Sequence, residues 1–338
     1  MKFLKYKTIA WLIGTLLFLV IASYLSLVKY AEYQVNQPLN LSQDTLFEVK
    51  KGQSVRSLGK QFEKSGWISQ RFWLKAHVKF NPDIAHVKEG VYLIKSHQTL
   101  LSVINDFVIG KEHQFSITFI EGSRFDDWLK QLANAQYIEH TLPTTFTQSI
   151  NELLTIDEEH PEGLLFPDTY AYTAGTKDID ILRRAQARMN AFISSAWLKR
   201  AENLPYETPY QALIMASIIE KETGQREEQP IISSVFFNRL HKKMRLQTDP
   251  TVIYGIGDAY DGDITRAHLK QKTRYNTYRI NGLPPTPIAM PGKSAIEATL
   301  QPAETDYLYF VSRGNGWHQF SETLKQHNKA VAKYQLGQ

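Results

Sequence analysis

Residues Thr8 to Val28 read TIAWLIGTLLFLVIASYLSLV, without one charged side chain. A helix needs roughly 20 such residues to cross the hydrocarbon core of a bilayer, so this stretch predicts a transmembrane helix over 8–28. Lys2, Lys5 and Lys7 precede it, whereas Lys29 on the far side is balanced by Glu32. The excess of Lys on the near side keeps residues 1–7 as a cytoplasmic tail and sends everything beyond residue 28 across the membrane. A cleaved signal peptide is the alternative, but its apolar region is usually shorter, about 7–15 residues, and no small-x-small site follows this one. The expectation is a single-pass inner-membrane protein whose body is periplasmic.

The 338 residues leave room for two folded units beyond such an anchor. With 43% hydrophobic and 22% charged residues the chain has the makings of a true core. The net charge of +5 would suit an anionic partner, yet Lys and Arg are scattered among Asp and Glu without a long basic run. A nucleic-acid role would also demand cytoplasmic exposure, against the orientation of the anchor. The absence of cysteine excludes disulfides, thiolate metal sites and cysteine nucleophiles.

The polar segment from Gln34 to Asp44 suggests a linker over 29–45, followed by a small domain over 46–112. Within it LFEVK reads as a strand, Gly52 suits a turn, and Ser54 can cap a helix carrying Val55, Leu58 and Phe62. A second short helix carries Phe72, Trp73 and Leu74. Then Glu89 to Ile94 is β-prone, and a helix over Leu100 to Ile109 ends at Gly110. The run FEVKKGQSVRSLGKQF resembles the start of a LysM module, which implies binding of polymers containing N-acetylglucosamine. A spacer is the alternative, with Trp67, Phe72 and Trp73 serving as core and not as stacking platforms for sugar.

A larger domain is expected over 113–338, opening with a strand at Phe115 to Ile120 and the amphipathic helix DDWLKQLA. Its most informative element is the apolar run Pro209 to Gly224, PYQALIMASIIEKETG, opened by Thr208-Pro209 and closed by glycine. Helical spacing puts Glu220 on the face of Leu213, Ala216 and Ser217, with Glu222 about 200° away. A carboxyl in apolar surroundings resists ionisation and becomes a proton donor near neutral pH. Read from the residues alone, Glu220 is either that donor or an ion-paired structural residue with Lys221 or Arg226 as partner.

Further runs narrow the choice: EGLLFPDTY from Glu162, SSVFFNRL from Ser233, LQTDPTVIYG from Leu246, YNTY from Tyr275, GLPPTPI from Gly282, and TDYLYFV from Thr305. Together with IIEKET they resemble, in order, the signature runs of the endolytic murein transglycosylases, also called the YceG-like family. The resemblance implies an α+β chain built as a transmembrane helix, a LysM-like domain and a mixed α/β catalytic domain.

It also implies a lyase that cuts peptidoglycan glycan strands between N-acetylmuramic acid and N-acetylglucosamine and leaves 1,6-anhydro ends. Glu220 is then the catalytic residue. Glu222, Gln247, Thr248, Asp249, Tyr254, Tyr275, Asn276 and Tyr278 are expected to hold the strand. On the residues alone Asp249 and Asp168 also suit turns beside proline, Tyr254 suits a core, and the prolines of 282–287 suit a rigid wall.

The remaining alternatives are a muramidase using Glu222 or Asp249 as a second carboxylate, and a non-catalytic wall-binding scaffold. The ten histidines lack metal-ligand spacing, with His318 and His327 isolated on an expected C-terminal strand and helix, so neither metal nor cofactor is expected. Expected partners are glycan strands, the inner membrane and wall synthases of the penicillin-binding class.

Overall fold

A computed structural model describes residues 2–143 and 147–337. Of the expected tail and large domain, residues 1, 144–146 and 338 therefore lie outside the described residues. The chain folds as two compact units, the first formed by residues 1–115 with 173–175 and the second by 116–172 with 176–338.

The first unit begins with α1 (Lys2–Val35), in which an 18-residue stretch between Lys7 and Val35 has a mean hydropathy of 2.2. Trp11 and Phe18 stand 79% and 70% exposed on it, and Leu12, Leu16 and Leu25 are bare as well. This apolar stretch, exposed on every side, has the length and composition to cross a bilayer. The expected linker from residue 29 is in fact helix through Val35. The reason is packing, because Ala31 and Val35, one turn apart, are fully buried in the unit's own core.

Beyond α1 come β1 (Thr45–Val49), α2 (Val55–Lys64), α3 (Arg71–Phe80), β2 (Gly90–Ile94) and α4 (Leu100–Ile109). The strands pair antiparallel with Phe47 opposite Tyr92. Ser54 caps α2 as its sequence promised, through a reciprocal capping box with Ser57. Gly110, at φ 76°, ends α4 in the left-handed conformation that favours glycine. The core between these elements is aromatic. Phe62 lies 5.2 Å from Phe47, and Phe107 lies 5.9 Å from Phe47 and 4.6 Å from Tyr92, measured between ring centroids. Trp67 joins the same cluster 5.1 Å from Phe62, as the core reading of that residue required.

In the second unit β3 (Phe115–Thr118), which lies there in all but its first residue, pairs with β4 (Thr169–Tyr172). Between them lie α5 (Phe125–Ala133) and α6 (Thr147–Leu154), and after them α7 (Asp178–Leu198). Next come α8 (Pro209–Glu222), α9 (Gln229–His241), α10 (Asp249–Ile256), α11 (Arg266–Lys270) and α12 (Lys293–Leu300). The hairpin β5 (Tyr309–Ser312) and β6 (His318–Ser321) and the final helix α13 (Leu324–Gln335) complete it.

Helix α8 is the axis of this unit. Every residue from Ala212 to Ile219 is buried, and α7, α9, α10 and α12 all pack on it. Phe236 of α9, Met189 and Ile193 of α7, and Ile296 and Leu300 of α12 close around it.

The first unit depends on its aromatic cluster, so Phe62→Ala is expected to destabilise it by about 3–5 kcal/mol. Urea denaturation followed by hydrogen exchange across residues 45–109 measures this, and a loss below about 1 kcal/mol would contradict the packing described.

Candidate active site

Helix α8 starts where its sequence says it should. The Thr208 hydroxyl accepts the Gln211 N–H and Pro209 fills the first turn. Its far end delivers Glu220 and Glu222 to different surroundings.

Glu220 Oε2 accepts the backbone N–H of Gly292 at 3.0 Å. Gly292 is the N-cap of α12, so the carboxyl faces the positive end of a helix. The segment carrying Gly292 is held from beneath by Ser217, one turn before Glu220 on α8. The Ser217 hydroxyl donates to the Ile214 carbonyl at 2.7 Å and accepts the Ile288 N–H at 3.0 Å. On its other side Glu220 is flanked by the turn at Gly122, which adopts φ +74°. That turn is tied to the same segment, Gly122 N–H donating to Met290 O at 2.8 Å and Met290 N–H to Ser123 O at 2.9 Å.

The ion-pair alternative for Glu220 finds its cations occupied elsewhere. Lys221 donates to the Gly122 carbonyl at 3.0 Å, and Arg226 pairs with Glu121 at 3.1 Å. Loss of water pushes the Glu220 carboxyl above the usual carboxylate range, while the Gly292 N–H pulls the other way and the neighbouring Glu121 charge adds to the rise. The group is thus disposed to carry a proton, yet one donor is in place for its ionised form.

Glu222 points into a different polar cluster. Its carboxyl accepts the Thr248 hydroxyl, and the Arg239 guanidinium and Asp249 are the charges that act on it. The residue as a whole is only partly buried, but its carboxyl is enclosed, and this desolvation pushes its pKa to about 7 despite the Thr248 bond. Arg239 is itself fixed by the carbonyls of Leu246 and Leu308, each at 2.7 Å.

The LQTDPT and YNTY runs meet here through buried threonines. Thr248 N–H donates to Thr277 Oγ1 at 3.0 Å, and Thr251 Oγ1 lies 2.8 Å from Thr277 Oγ1. Thr251 and Thr277 are structural partners that the reading of the sequence did not single out.

The other residues expected to hold substrate divide into groups. Gln247 is exposed, with φ +54°, and Asp249 is exposed and accepts the Tyr278 hydroxyl at 2.7 Å. Asp249 also opens α10, so its turn reading and its place beside Tyr278 hold together. Tyr254 and Tyr275 meet edge to face at 4.9 Å, and the Tyr275 hydroxyl shares a hydrogen bond with Thr286 at 2.9 Å.

Asn276 is different. It is 0% exposed, and its amide donates to the carbonyls of His268, Leu269 and Gln271, so it caps the end of α11 in place of facing the surface. Asp168 pairs with Arg188 and keeps its turn role. His318 is bound at 2.8 Å to Glu228 beneath the hairpin, a structural place. Among the described residues no group of three or more His, Asp or Glu is arranged to hold a metal ion.

Sequence reasoning missed Glu162 as a functional candidate. It is 1% exposed, accepts the Phe125 N–H at 3.0 Å, and lies 3.3 Å from the Tyr254 hydroxyl. The Arg124 guanidinium stacks over the Tyr254 ring at 5.0 Å. Next to Glu162, the Gly163 N–H donates to Met290 Sδ at 3.2 Å, and a Cβ there would lie 2.4 Å from Pro287. Glu162 therefore braces, from inside, the 122–125 turn that flanks Glu220. Burial pushes its pKa to about 8, against the opposing pull of the Phe125 N–H and Arg124.

This shift has a signed consequence. A carboxyl raised from 4.5 to about 8 on folding contributes its full share of stability below the ordinary carboxylate range, and that share is lost as pH climbs to about 8. Glu162→Gln keeps the shape without the proton. The variant is expected to flatten the fall in urea stability across that window by up to about 1.4 kcal/mol per pH unit. An unchanged slope would show that Glu162 is already ionised in the folded protein.

The YceG-like family profile matches residues 47–333. An endolytic murein transglycosylase of Bacillus subtilis is 32% identical over 304 residues, covering 85% of this chain and 83% of that protein. One of Streptococcus pneumoniae strain D39 is 24% identical over 320 residues, covering 85% of this chain and 57% of its own length. The 2.6 Å crystal structure of a protein described as YceG-like from Listeria monocytogenes aligns with a TM-score of 0.52 at 29% identity, covering 86% of this chain and 99% of that one. The family match takes in both units and every run that shapes the Glu220 and Glu222 surroundings, and the chain belongs to the YceG-like family.

Proposed function

We propose that the chain is an endolytic lytic transglycosylase of peptidoglycan, anchored by α1, with Glu220 as its one acid and base. The observation that carries this reading is the setting of Glu220. It ends a helix buried on all sides, it is kept above the usual carboxylate range by loss of water, and a single backbone N–H from Gly292 waits for its anion. The relatives named as endolytic murein transglycosylases support the substrate and the reaction.

In the proposed step the Glu220 proton goes to the glycosidic oxygen leaving C1 of N-acetylmuramic acid, and the C1–O bond breaks. The C6 hydroxyl oxygen of the same sugar bonds to C1, and its proton passes to the Glu220 carboxylate. The enzyme returns to its starting protonation state without water, and the new end is a 1,6-anhydro sugar. An intramolecular nucleophile brings the proximity advantage a free water lacks. The Gly292 N–H steadies the carboxylate during the interval between the two proton transfers.

A muramidase needs a second carboxylate close enough to serve as base or nucleophile. Glu222 is committed to Thr248 and Asp249 to Tyr278, which favours the single-carboxyl route. We assign Gln247, Asp249, Tyr254, Tyr275 and Tyr278 to the strand-holding surface, and Thr248 and Glu222 to its support. The strand–helix–helix–strand order of β1, α2, α3 and β2 supports a LysM-like reading of the first unit. Lys2, Lys5 and Lys7 ahead of the uncharged stretch support a cytoplasmic N-terminus with the body in the periplasm. There the enzyme would limit the length of nascent strands beside a wall synthase.

The test is to digest purified peptidoglycan with the detergent-solubilised chain and its Glu220→Gln variant and to identify the new sugar ends by mass spectrometry. Anhydro ends are expected, formed about 10²–10⁴ times more slowly by the variant. Reducing ends would make the protein a muramidase, cleavage indifferent to Glu220 would move the chemistry to another residue, and no cleavage would leave a scaffold.

A further inference from the structure

In the first unit α3 runs back along α1. Near its start Trp73 meets Tyr30 at 4.8 Å, and at its end Phe80 meets Tyr24 at 5.5 Å. Tyr24 belongs to the uncharged stretch that ends at Val28. Four residues of helix place its Cα about 6 Å inside that end. Helical side chains lean toward the N-terminus, which carries the ring deeper still. Helix α1 cannot hinge away from this contact at residue 29, because it continues to Val35 with Ala31 and Val35 buried in the unit's core.

From these contacts we infer that the first unit is seated on the bilayer that α1 crosses, with the end of α3 around Phe80 lying in the phospholipid headgroup layer. This rests on the reading of α1 as a membrane anchor. The chemistry of the rim suits that layer. Tyr24, Tyr30, Phe72 and Trp73 are the amphipathic and aromatic residues that favour a membrane boundary, with Phe72 exposed at 55%. Lys75 and Lys79 stand exposed one turn apart on α3, placed to reach lipid phosphates while their stems lie along apolar surface. Arg71 at the far end of α3 is paired with Glu63, so the cations that α3 turns toward the Phe80 end are Lys75 and Lys79. The first unit is then held at a fixed height by its own fold, and the glycan it meets is the glycan at the membrane surface.

The chain contains no cysteine, so single nitroxide labels can be placed at will. In the full chain reconstituted into nanodiscs of phosphatidylcholine with phosphatidylglycerol, labels at Leu16→Cys and Tyr33→Cys calibrate mid-bilayer and water. Lys79→Cys is the reporter. Accessibility to oxygen relative to a nickel chelate is expected to fall between the two at Lys79, clearly above Tyr33. A value at or below that of Tyr33, with Leu16 still buried, overturns the seat and leaves the anchor. An aqueous value at Leu16 overturns both.

Discussion

Burial of α8 on every side is the constraint around which the larger unit is arranged. A helix whose residues from Ala212 to Ile219 all lack contact with water must be wrapped by others, and α7, α9, α10 and α12 supply the wrapping. Its polar end has to emerge somewhere, and it emerges as two carboxylates. The Ser217 hydroxyl, satisfied within the helix and still accepting the Ile288 N–H, pins the 288–292 segment one turn below. That segment then delivers the Gly292 N–H to Glu220 at the start of α12. Packing therefore sets both the elevated proton affinity of Glu220 and the one donor that meets its anion.

Glu162, Glu220 and Glu222 are all raised by the same cause, removal from water, yet they do different things. Glu162 is sealed and holds the 122–125 turn against Tyr254. Glu222 is locked to Thr248, and through it to the knot of Thr251 and Thr277. Glu220 takes the Gly292 N–H at the start of α12, as Glu162 takes the Phe125 N–H at the start of α5, but unlike Glu162 it is not sealed from water. Desolvation marks all three as unusual, and the company each keeps is what assigns Glu162 and Glu222 to support in the proposed function.

What could be read from sequence follows the range of the interactions involved. The long apolar helix α1 was legible because length and lack of charge suffice, and α8 because an apolar run between Thr208-Pro209 and Gly224 has few other fates. The caps at Ser54 and Gly110 are local and were legible for that reason. The continuation of α1 to Val35 was hidden because Gln34 and its neighbours look like linker, while only Ala31 and Val35 face inward. Glu162 was hidden because its partners lie 37 and 92 residues away. Asn276 looked like a ligand-binding amide, but its three carbonyl partners come together only once the last turn of α11 has formed beside it.

The central claim is that one protonated carboxyl, Glu220, does the work of two. The pH dependence of kcat/KM for release of anhydro-ended fragments, measured from about pH 4 upward, tests it most directly. A group that must be protonated in the free enzyme, with no second ionised partner, gives a plateau at low pH and a single fall as pH rises through its elevated pKa. An ascending limb at low pH, making the profile a bell, would mean that an ionised carboxylate is also required and would contradict the account.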